Sequence, residues 1–325
     1  MIPLLSQSLA DTWGIVPRVL VIMFASLYAS QVLIGLGLFK RLAFIGRPLV
    51  RLAHLPVEAG VAFFASFGSV LAGNSIIAGL YHGKRLNRLQ ALLAALLNTT
   101  PVYVKETFTY QIPVMIPLLG LKVGLLYFLT FAASGLFRVF FVIVCGRVML
   151  KEIRPEKEGP GPDSDDTGST WNKERFGELL ISSFNLQRKV FFKIGIIFVS
   201  TTFLIFLLIN SGLVNGLAEY VAPLTRVFGL PLSCAIPVST YMFSPLVGAT
   251  SIGAMIKDGV LSDLQGITAC VLGSLLMLPV FTIRYSLAKY TSMFGFSLGC
   301  SILAVSTFLG MFSRGVFLLL FLSMG

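Results

Sequence analysis

The chain has 325 residues, of which 56% are hydrophobic and only 12% are charged, and its mean hydropathy is +0.88. A soluble domain of this length is about half apolar and about a quarter charged, so the composition excludes an ordinary soluble protein and predicts a polytopic membrane protein. The formal net charge of +11 does not indicate nucleic-acid binding, because most basic residues flank apolar runs, as residues that set membrane topology do.

The first half contains three apolar segments that are predicted to span the membrane, namely 14–38, 89–104 and 118–148. Residues 40–54 alternate apolar and basic side chains at roughly helical spacing, which is typical of a helix lying in the membrane interface. Residues 105–117 contain enough polar residues and prolines to be a connection between spans. These segments predict an all-α fold.

Two further apolar stretches, 57–82 and 232–257, are interrupted near their middles by small and polar residues. The interrupting residues are Gly73, Asn74 and Ser75 in the first stretch and Ser244, Pro245, Gly248, Thr250 and Ser251 in the second. A helix broken at membrane depth is tolerated only where protein or a watery cavity satisfies its backbone, and paired broken segments point to a transporter's binding site. The alternative is two ordinary spanning helices with a packing glycine and a kinking proline.

The second half repeats the first after a hydrophilic linker, residues 151–188, which is rich in Pro, Gly, Asp and Ser and is expected to be partly disordered. The linker divides the chain into a first membrane repeat, 1–150, and a second, 189–325. At an offset of 175, the matches include Pro48 with Pro223, Arg51 with Arg226, Ser69 with Ser244, Gly73 with Gly248 and Gln90 with Gln265. A small insertion then aligns Pro101 with Pro279, and an offset of 176 aligns Arg138 with Arg314. This self-similarity predicts a tandem duplication.

The basic residues predict that the two repeats have opposite orientations in the membrane, because positive charge favours the cytoplasmic side. They are Lys40, Arg41, Arg47, Arg51, Lys84, Arg85 and Arg88 in the first half, and Arg188, Lys189, Lys193, Arg284 and Lys289 in the second. Positive charge on both sides of 57–82 predicts a re-entrant hairpin, so each repeat has three spans, one re-entrant hairpin and an interfacial helix. The protein is then expected in the cell (inner) membrane, with both termini on the outer side and the linker on the cytoplasmic side. If 57–82 crosses instead, each half has four spans and the repeats are parallel.

Arg138 and Arg314 lie inside apolar spans, where a charge costs about 2.5–3.5 kcal/mol and is a functional hypothesis by default. Related by a pseudo-twofold axis, they are expected to converge with the N-terminal ends of the broken helices and bind an anionic group. In the alternative, each guanidinium caps helix carbonyls or extends to the membrane surface. The predicted substrate-binding residues are Arg138, Arg314, Gly73, Asn74, Ser75, Gly248, Thr250 and Ser251. The arginines would hold the charge, and the breaks at 73–75 and 248–251 would supply backbone donors. In the alternative, the polar side chains at the breaks only satisfy freed backbone groups.

Motifs of enzymes and metal sites are missing from the sequence, which lacks a phosphate-binding glycine loop, an HExxH motif, a nucleophile elbow and paired intramembrane carboxylates. The four cysteines and two histidines have no metal-ligand spacing. We therefore expect neither an enzyme nor a cofactor or metal site. The expected partners are a small-molecule or lipid-linked anionic substrate and membrane lipid, without nucleic acid, and a homodimer is left open.

The stretches FGSVLAGNSIIAGLYHGKRL and FSPLVGATSIGAMIKDGVL are each followed by LxxLQ, at Leu86–Gln90 and Leu261–Gln265. With these motifs the chain resembles the nucleoside-recognition, or Gate domain, family of membrane proteins over roughly 40–148 and 215–323. The resemblance implies movement or recognition of a solute without naming it. The hairpin tips lack the acidic pair that a nucleoside-ribose site would use, and the intramembrane arginines fit an anion better.

These observations predict a transporter that moves a small polar, anionic solute, or a lipid-linked phosphate, by alternating access at the repeat interface. A non-transporting membrane scaffold, in which the arginines and hairpins are structural, is the first alternative. A nucleoside transporter, as the family name suggests, is the second. A channel would need a continuous polar lining, which the apolar spans of the second repeat do not offer.

Overall fold

The computed structural model describes residues 46–150 and 213–324, together with 5–14 and scattered positions between 16 and 28 and between 177 and 211. The regular elements over these residues are all helical, as the sequence predicts. Long apolar helices joined by short turns make this an all-α membrane-type fold.

Several predictions from the sequence lie outside the described residues. They are most of the span 14–38, residues 40–45 of the interfacial helix, residues 151–176 of the linker and most of the first span of the second half. The described remainder of the interfacial segment is a short helix, Gly46–Leu52. The division of the chain at the linker therefore stays a prediction.

The first hairpin consists of two helices, Val57–Gly68 and Val70–His82, which meet at Ser69. Ser69 is extended, with φ −153° and ψ 119°, and its hydroxyl accepts a hydrogen bond from the N–H of Ala72 at 3.4 Å, which caps the second helix. The two helices pack antiparallel. Helices of 12 and 13 residues are about 18–20 Å long, too short for either one to cross a hydrocarbon core of about 30 Å.

The second hairpin has the same form, with helices Ala235–Phe243 and Pro245–Lys257 meeting at the extended Ser244. Pro245 disfavours a helical conformation at Ser244 and is itself well suited to the first turn of a helix, so the break falls between them. The predicted position of the breaks is therefore wrong for most of the residues named. Gly73, Asn74 and Ser75, like Gly248, Thr250 and Ser251, lie within the second helix of their hairpin.

Each hairpin is followed by a helix that begins with a capping box, formed by Asn87 with Gln90 and by Ser262 with Gln265. In the second half this helix runs unbroken over Asp263–Phe281 and continues as a π-helix to Ser286. In the first half it ends at Leu97.

The first-half helix resumes as Thr100–Glu106, followed by the π-helix Thr107–Met115 and a short turn of helix, Ile116–Leu119. The predicted span 89–104 is thus interrupted, and 105–117 is helical rather than a loop. Pro113 lies within the π-helix, whose wider hydrogen-bonding pattern accommodates the missing N–H.

Two long helices of 29 residues each, Leu121–Met149 and Phe296–Met324, complete the two halves. Both follow a glycine with positive φ, Gly120 at 82° and Gly295 at 77°, a backbone conformation that favours glycine over other residues. Together with Asp263–Ser286, they are the helices of the described chain that are long and apolar enough to cross a membrane.

The two halves repeat at a constant spacing of 175 residues as far as the long helices. This spacing separates Ser69 from Ser244, Arg88 from Asp263 and Gly120 from Gly295. No insertion precedes the long helices, so the predicted alignment of Pro101 with Pro279 is wrong. Arg138 and Arg314 are the 18th and 19th residues of their helices, one position out of register.

Contacts between the halves occur in reciprocal pairs. Arg88 donates a hydrogen bond to the hydroxyl of Ser297 at 3.0 Å, and at the equivalent positions Asp263 pairs with Lys122 at 3.5 Å. The described chain has two hydrophobic cores, one mainly in each half. Each core also includes apolar residues of the other half, which lie at the beginning of that half's long helix or just before it. A two-fold relation between similar halves produces such reciprocity.

Candidate functional site

Arg138 lies in the middle of the long helix Leu121–Met149 and is only 8% exposed. One terminal nitrogen, Nη1, donates to the hydroxyl of Thr99 at 2.9 Å, and the other, Nη2, donates to the carbonyl of Ser306 at 3.0 Å. The ring of Tyr103 lies 5.4 Å from the guanidinium carbon, within the range of a cation–π contact. Arg138 therefore joins its own half to the long helix of the other half.

The environment of Arg138 does not saturate its hydrogen-bonding capacity. Within the described part of the chain its Nε is buried without an acceptor, and the hydroxyl of Thr100, the residue after Thr99, is also buried without a partner. No carboxylate among the described residues pairs with Arg138. A buried charge with this few partners is unusual, because buried charges are normally paired.

The helix break beside Arg138 follows from the local sequence. Pro101 has no N–H, so it cannot donate to the carbonyl of Leu97, and the first-half helix ends there. The amide of Asn98 then donates to the side-chain oxygen of Asn74 at 3.2 Å, and the amide of Asn74 donates to the hydroxyl of Tyr290 at 2.9 Å. This polar chain connects the helix break, the first hairpin and the second half.

Arg314 lies in the other long helix, one position out of register with Arg138, and is 9% exposed. Its Nε donates to the hydroxyl of Ser274 at 2.9 Å, and its Nη1 donates to the carbonyl of Gly310, one turn earlier in the same helix, at 3.2 Å. Ser274 and Thr99 are equivalent at the 175-residue spacing. Each arginine thus binds the corresponding hydroxyl of its own half, but the helix around Ser274 is unbroken.

The two long helices cross close to both arginines. The hydroxyls of Ser134 and Ser313 lie 2.8 Å apart, and the rings of Phe137 and Phe312 stack with centroids 5.5 Å apart. Ser313 directly precedes Arg314 in the sequence. Ser134 is one helical turn, about 6 Å, before Arg138. Both arginines therefore lie near the interface between the halves.

Of the predicted hairpin residues, only Asn74 joins the polar chain beside Arg138. The two glycines allow close packing: a Cβ on Gly73 would overlap Ser66 and Ala62, and one on Gly248 would overlap Tyr241. Their N–H groups are bonded to the carbonyls of Ser69 and Ser244. The expectation that these segments offer free backbone donors is therefore wrong.

The remaining hairpin side chains bond to their own helices. The hydroxyls of Ser75, Thr250 and Ser251 each donate to the carbonyl four residues earlier, at 2.8, 2.7 and 3.1 Å respectively. Hydroxyl groups in helices commonly form this bond, which leaves them no free donor for a solute. These three side chains therefore form no observed hydrogen bond with the described residues of the arginine sites.

Several residues of the arginine sites were not predicted from the sequence. They are Thr99, Thr100, Tyr103, Ser274, Tyr290 and Ser306. Two signals in the sequence point to some of these residues. Thr99 and Ser274 are equivalent at the repeat spacing, which points to both of them. A proline within a predicted span points to Thr99 and Thr100. No group of His, Cys, Asp and Glu side chains that could hold a metal ion occurs in the described part of the chain.

The long apolar helices and the buried polar interior define a polytopic α-helical membrane protein. Residues 16–122 match the sequence model of the family described as nucleoside recognition, or Gate. This match confirms the resemblance predicted from the hairpin motif. It lies within the predicted first repeat, 1–150.

Three proteins of the archaeon Methanocaldococcus jannaschii, each named only as an uncharacterized protein, are similar to this chain. One is 21% identical over 86% of this chain and 88% of its own length. A second is 24% identical over 97% of both chains, and a third is 23% identical over 89% of this chain and 87% of its own length. No solved structure matches the chain significantly.

Proposed function

We propose that this protein is a membrane transporter that moves a small anionic solute by alternating access between its two halves. The observation that carries the proposal is the pair of buried arginines near the interface, neither of which forms a direct ion pair among the described residues, although the carboxylate of Glu106 interacts electrostatically with Arg314 over a longer distance. A buried guanidinium without a direct ion pair is unfavourable. An anionic solute, free or linked to a lipid, would offset this energy while it is bound.

In the proposed topology the two halves are inverted, each hairpin re-enters the membrane, both termini are outside and the linker is cytoplasmic. Three observations support it: the hairpin helices are too short to span, the contacts between halves are reciprocal, and the basic residues change sides between the repeats. Inverted repeats of this kind place a solute site at their interface, which two rocking halves expose alternately.

A nucleoside is the second candidate substrate, favoured by the description of the matching family and by the buried amides of Asn74 and Asn98. Amide side chains can donate to and accept from a nucleobase. The arginines would then serve structure or bind a phosphate attached to the nucleoside. A scaffold without transport activity is the remaining alternative, and under the transport proposal the protein is not an enzyme.

The test is a thermal-shift screen of detergent-purified protein against nucleosides, nucleotides, carboxylates, phosphates and polyprenyl phosphates. The double variant Arg138→Gln, Arg314→Gln is screened in parallel. We expect an anion to stabilise the wild-type protein but not the variant, because a ligand that binds only the folded state raises its stability. Stabilisation by neutral nucleosides in both proteins would select the second candidate. A folded variant, with no ligand stabilising either protein, would favour the scaffold.

A further inference from the structure

We infer that the anion site is asymmetric and lies at the helix break of the first half, where Arg138 and Thr100 face an oxyanion. This inference rests on the proposed transport of an anion and names the side chains that bind it. Arg314 has a mainly structural role in this assignment. The class of ligand is a carboxylate or phosphate attached to a polar body.

The first argument is the state of the two Nε atoms. A guanidinium binds an oxyanion most strongly when two parallel N–H groups, one of them often Nε–H, donate to two oxygens. In Arg314 the Nε already donates to Ser274. In Arg138 the Nε is buried and has no acceptor among the described residues, while Nη1 and Nη2 donate once each, so the state of Nε distinguishes Arg138 from Arg314.

The second argument is the helix break, which only the first half has. Thr100 follows directly after Thr99, the residue that contacts Arg138, and its buried hydroxyl has no partner among the residues that the structure describes. In the second half the helix Asp263–Phe281 continues through the equivalent region. The first half therefore has an unpaired N–H on Arg138 and an unpaired hydroxyl on the residue that follows its partner Thr99. In the inferred site one oxyanion accepts a hydrogen bond from each of them.

The third argument concerns the body of the ligand. Asn74 and Asn98 are almost fully buried, and the bond from Asn74 to Tyr290 crosses between the halves. These neutral groups adjoin the break and suit a ligand with hydroxyl or amide groups better than an alkyl chain. A ligand here would contact both halves, as alternating access at their interface requires.

The inference is tested by ligand-dependent thermal stabilisation of the full chain in detergent, with succinate, inorganic phosphate, glycerol phosphate and short-chain phosphatidic acid as probes. Arg138→Lys keeps the charge but loses the planar fork of donors. Thr100→Val keeps the shape of the side chain but loses the hydroxyl. Thr240→Val is the matched control, because it removes another buried hydroxyl without a partner, located in the second hairpin.

We expect Arg138→Lys and Thr100→Val to weaken the binding of the best probe by about tenfold or more. Arg314→Lys should weaken it by less than about threefold, and Thr240→Val should leave it unchanged. Thr100→Val should not lower the stability of the unliganded protein, because its hydroxyl makes no bond there. Stabilisation by phosphatidic acid alone supports the site with a lipid-linked ligand, and stabilisation by the soluble probes supports it with a free solute.

If Arg314→Lys weakens the binding of the probe as much as Arg138→Lys does, the asymmetric assignment is overturned and the proposed anion transport still stands. If Thr240→Val weakens the binding as much as Thr100→Val does, the role of the helix break is overturned in the same way. If no anionic probe stabilises the wild-type protein, the proposed transport of an anion fails, and this inference fails with it.

Discussion

Asn74 is the residue through which the first hairpin contacts both the helix break and the second half. It is 2% exposed and bonds to Asn98 and Tyr290 through its two side-chain atoms. We expect Asn74→Ala to destabilise the protein by about 1–3 kcal/mol, because it removes the hydrogen-bond partner of the buried Asn98 and of the half-buried Tyr290. The measurement is the midpoint of thermal unfolding in detergent.

The control for this prediction is the neighbouring Ser75→Ala. Ser75 is exposed and bonds only to the carbonyl of Leu71 in its own helix, so its loss should change stability by less than about 0.5 kcal/mol. Equal effects of the two substitutions would contradict the polar chain through Asn74.

At this scale, the sequence alone identified Arg138 and Arg314, because a charge within an apolar run is visible without any structure. The sequence does not identify Tyr290 as the partner of Asn74, or Ser306 as the partner of Arg138. These partners are 216 and 168 positions apart in the chain. Such contacts depend on how the two halves pack, which no local pattern encodes.

The hairpin helices depend on a close approach that only glycine permits. A Cβ at Gly73 would overlap the side chain of Ser66 and the backbone of Ala62, so we expect Gly73→Ala to force the two helices apart. Overpacking of this kind typically costs about 1–3 kcal/mol. A thermal unfolding midpoint and the yield of folded protein would measure the effect.

Gly79→Ala is a matched control in the same helix, because nothing lies within 4 Å of the position a Cβ would occupy there. Since alanine favours a helix interior over glycine, this control should leave stability unchanged or raise it by about 0.5–1 kcal/mol. A stabilising Gly73→Ala would contradict the close packing of the two helices.

Element positions were predicted from the sequence where apolar runs are long and uninterrupted. The span predicted at 118–148 closely matches the helix Leu121–Met149. The hairpin breaks were misplaced because small and polar residues inside a helix resemble those at a break, whereas the decisive features are the cap at Ser69 and the proline at 245. The sequence does not predict the interruption before Pro101, because this proline lies near the end of an apolar run and a proline marks a helix boundary in some helices only.

In the whole molecule, the repeat spacing and the reciprocal contacts together support the proposed two-fold relation between the two halves. Two contacts between the halves occur at equivalent positions, one between Arg88 and Ser297 and the other between Asp263 and Lys122. They differ in chemistry, since only the second is an ion pair. Lys122 and Asp263 are 84% and 50% exposed, so the ion pair itself contributes at most about 1 kcal/mol. If the axis lies in the membrane plane, these two contacts lie at opposite membrane faces.

Labelling of single cysteines tests this orientation directly. In a background lacking Cys145, Cys234, Cys270 and Cys300, we expect Arg88→Cys and Asp263→Cys to react with a membrane-impermeant maleimide from opposite sides of the membrane. Lys84→Cys, in the turn before Arg88, should label from the same side as Arg88→Cys. Labelling at 88 and 263 from one side would instead mean parallel repeats. The first hairpin would then have to cross the membrane, although neither of its helices is long enough to do so alone.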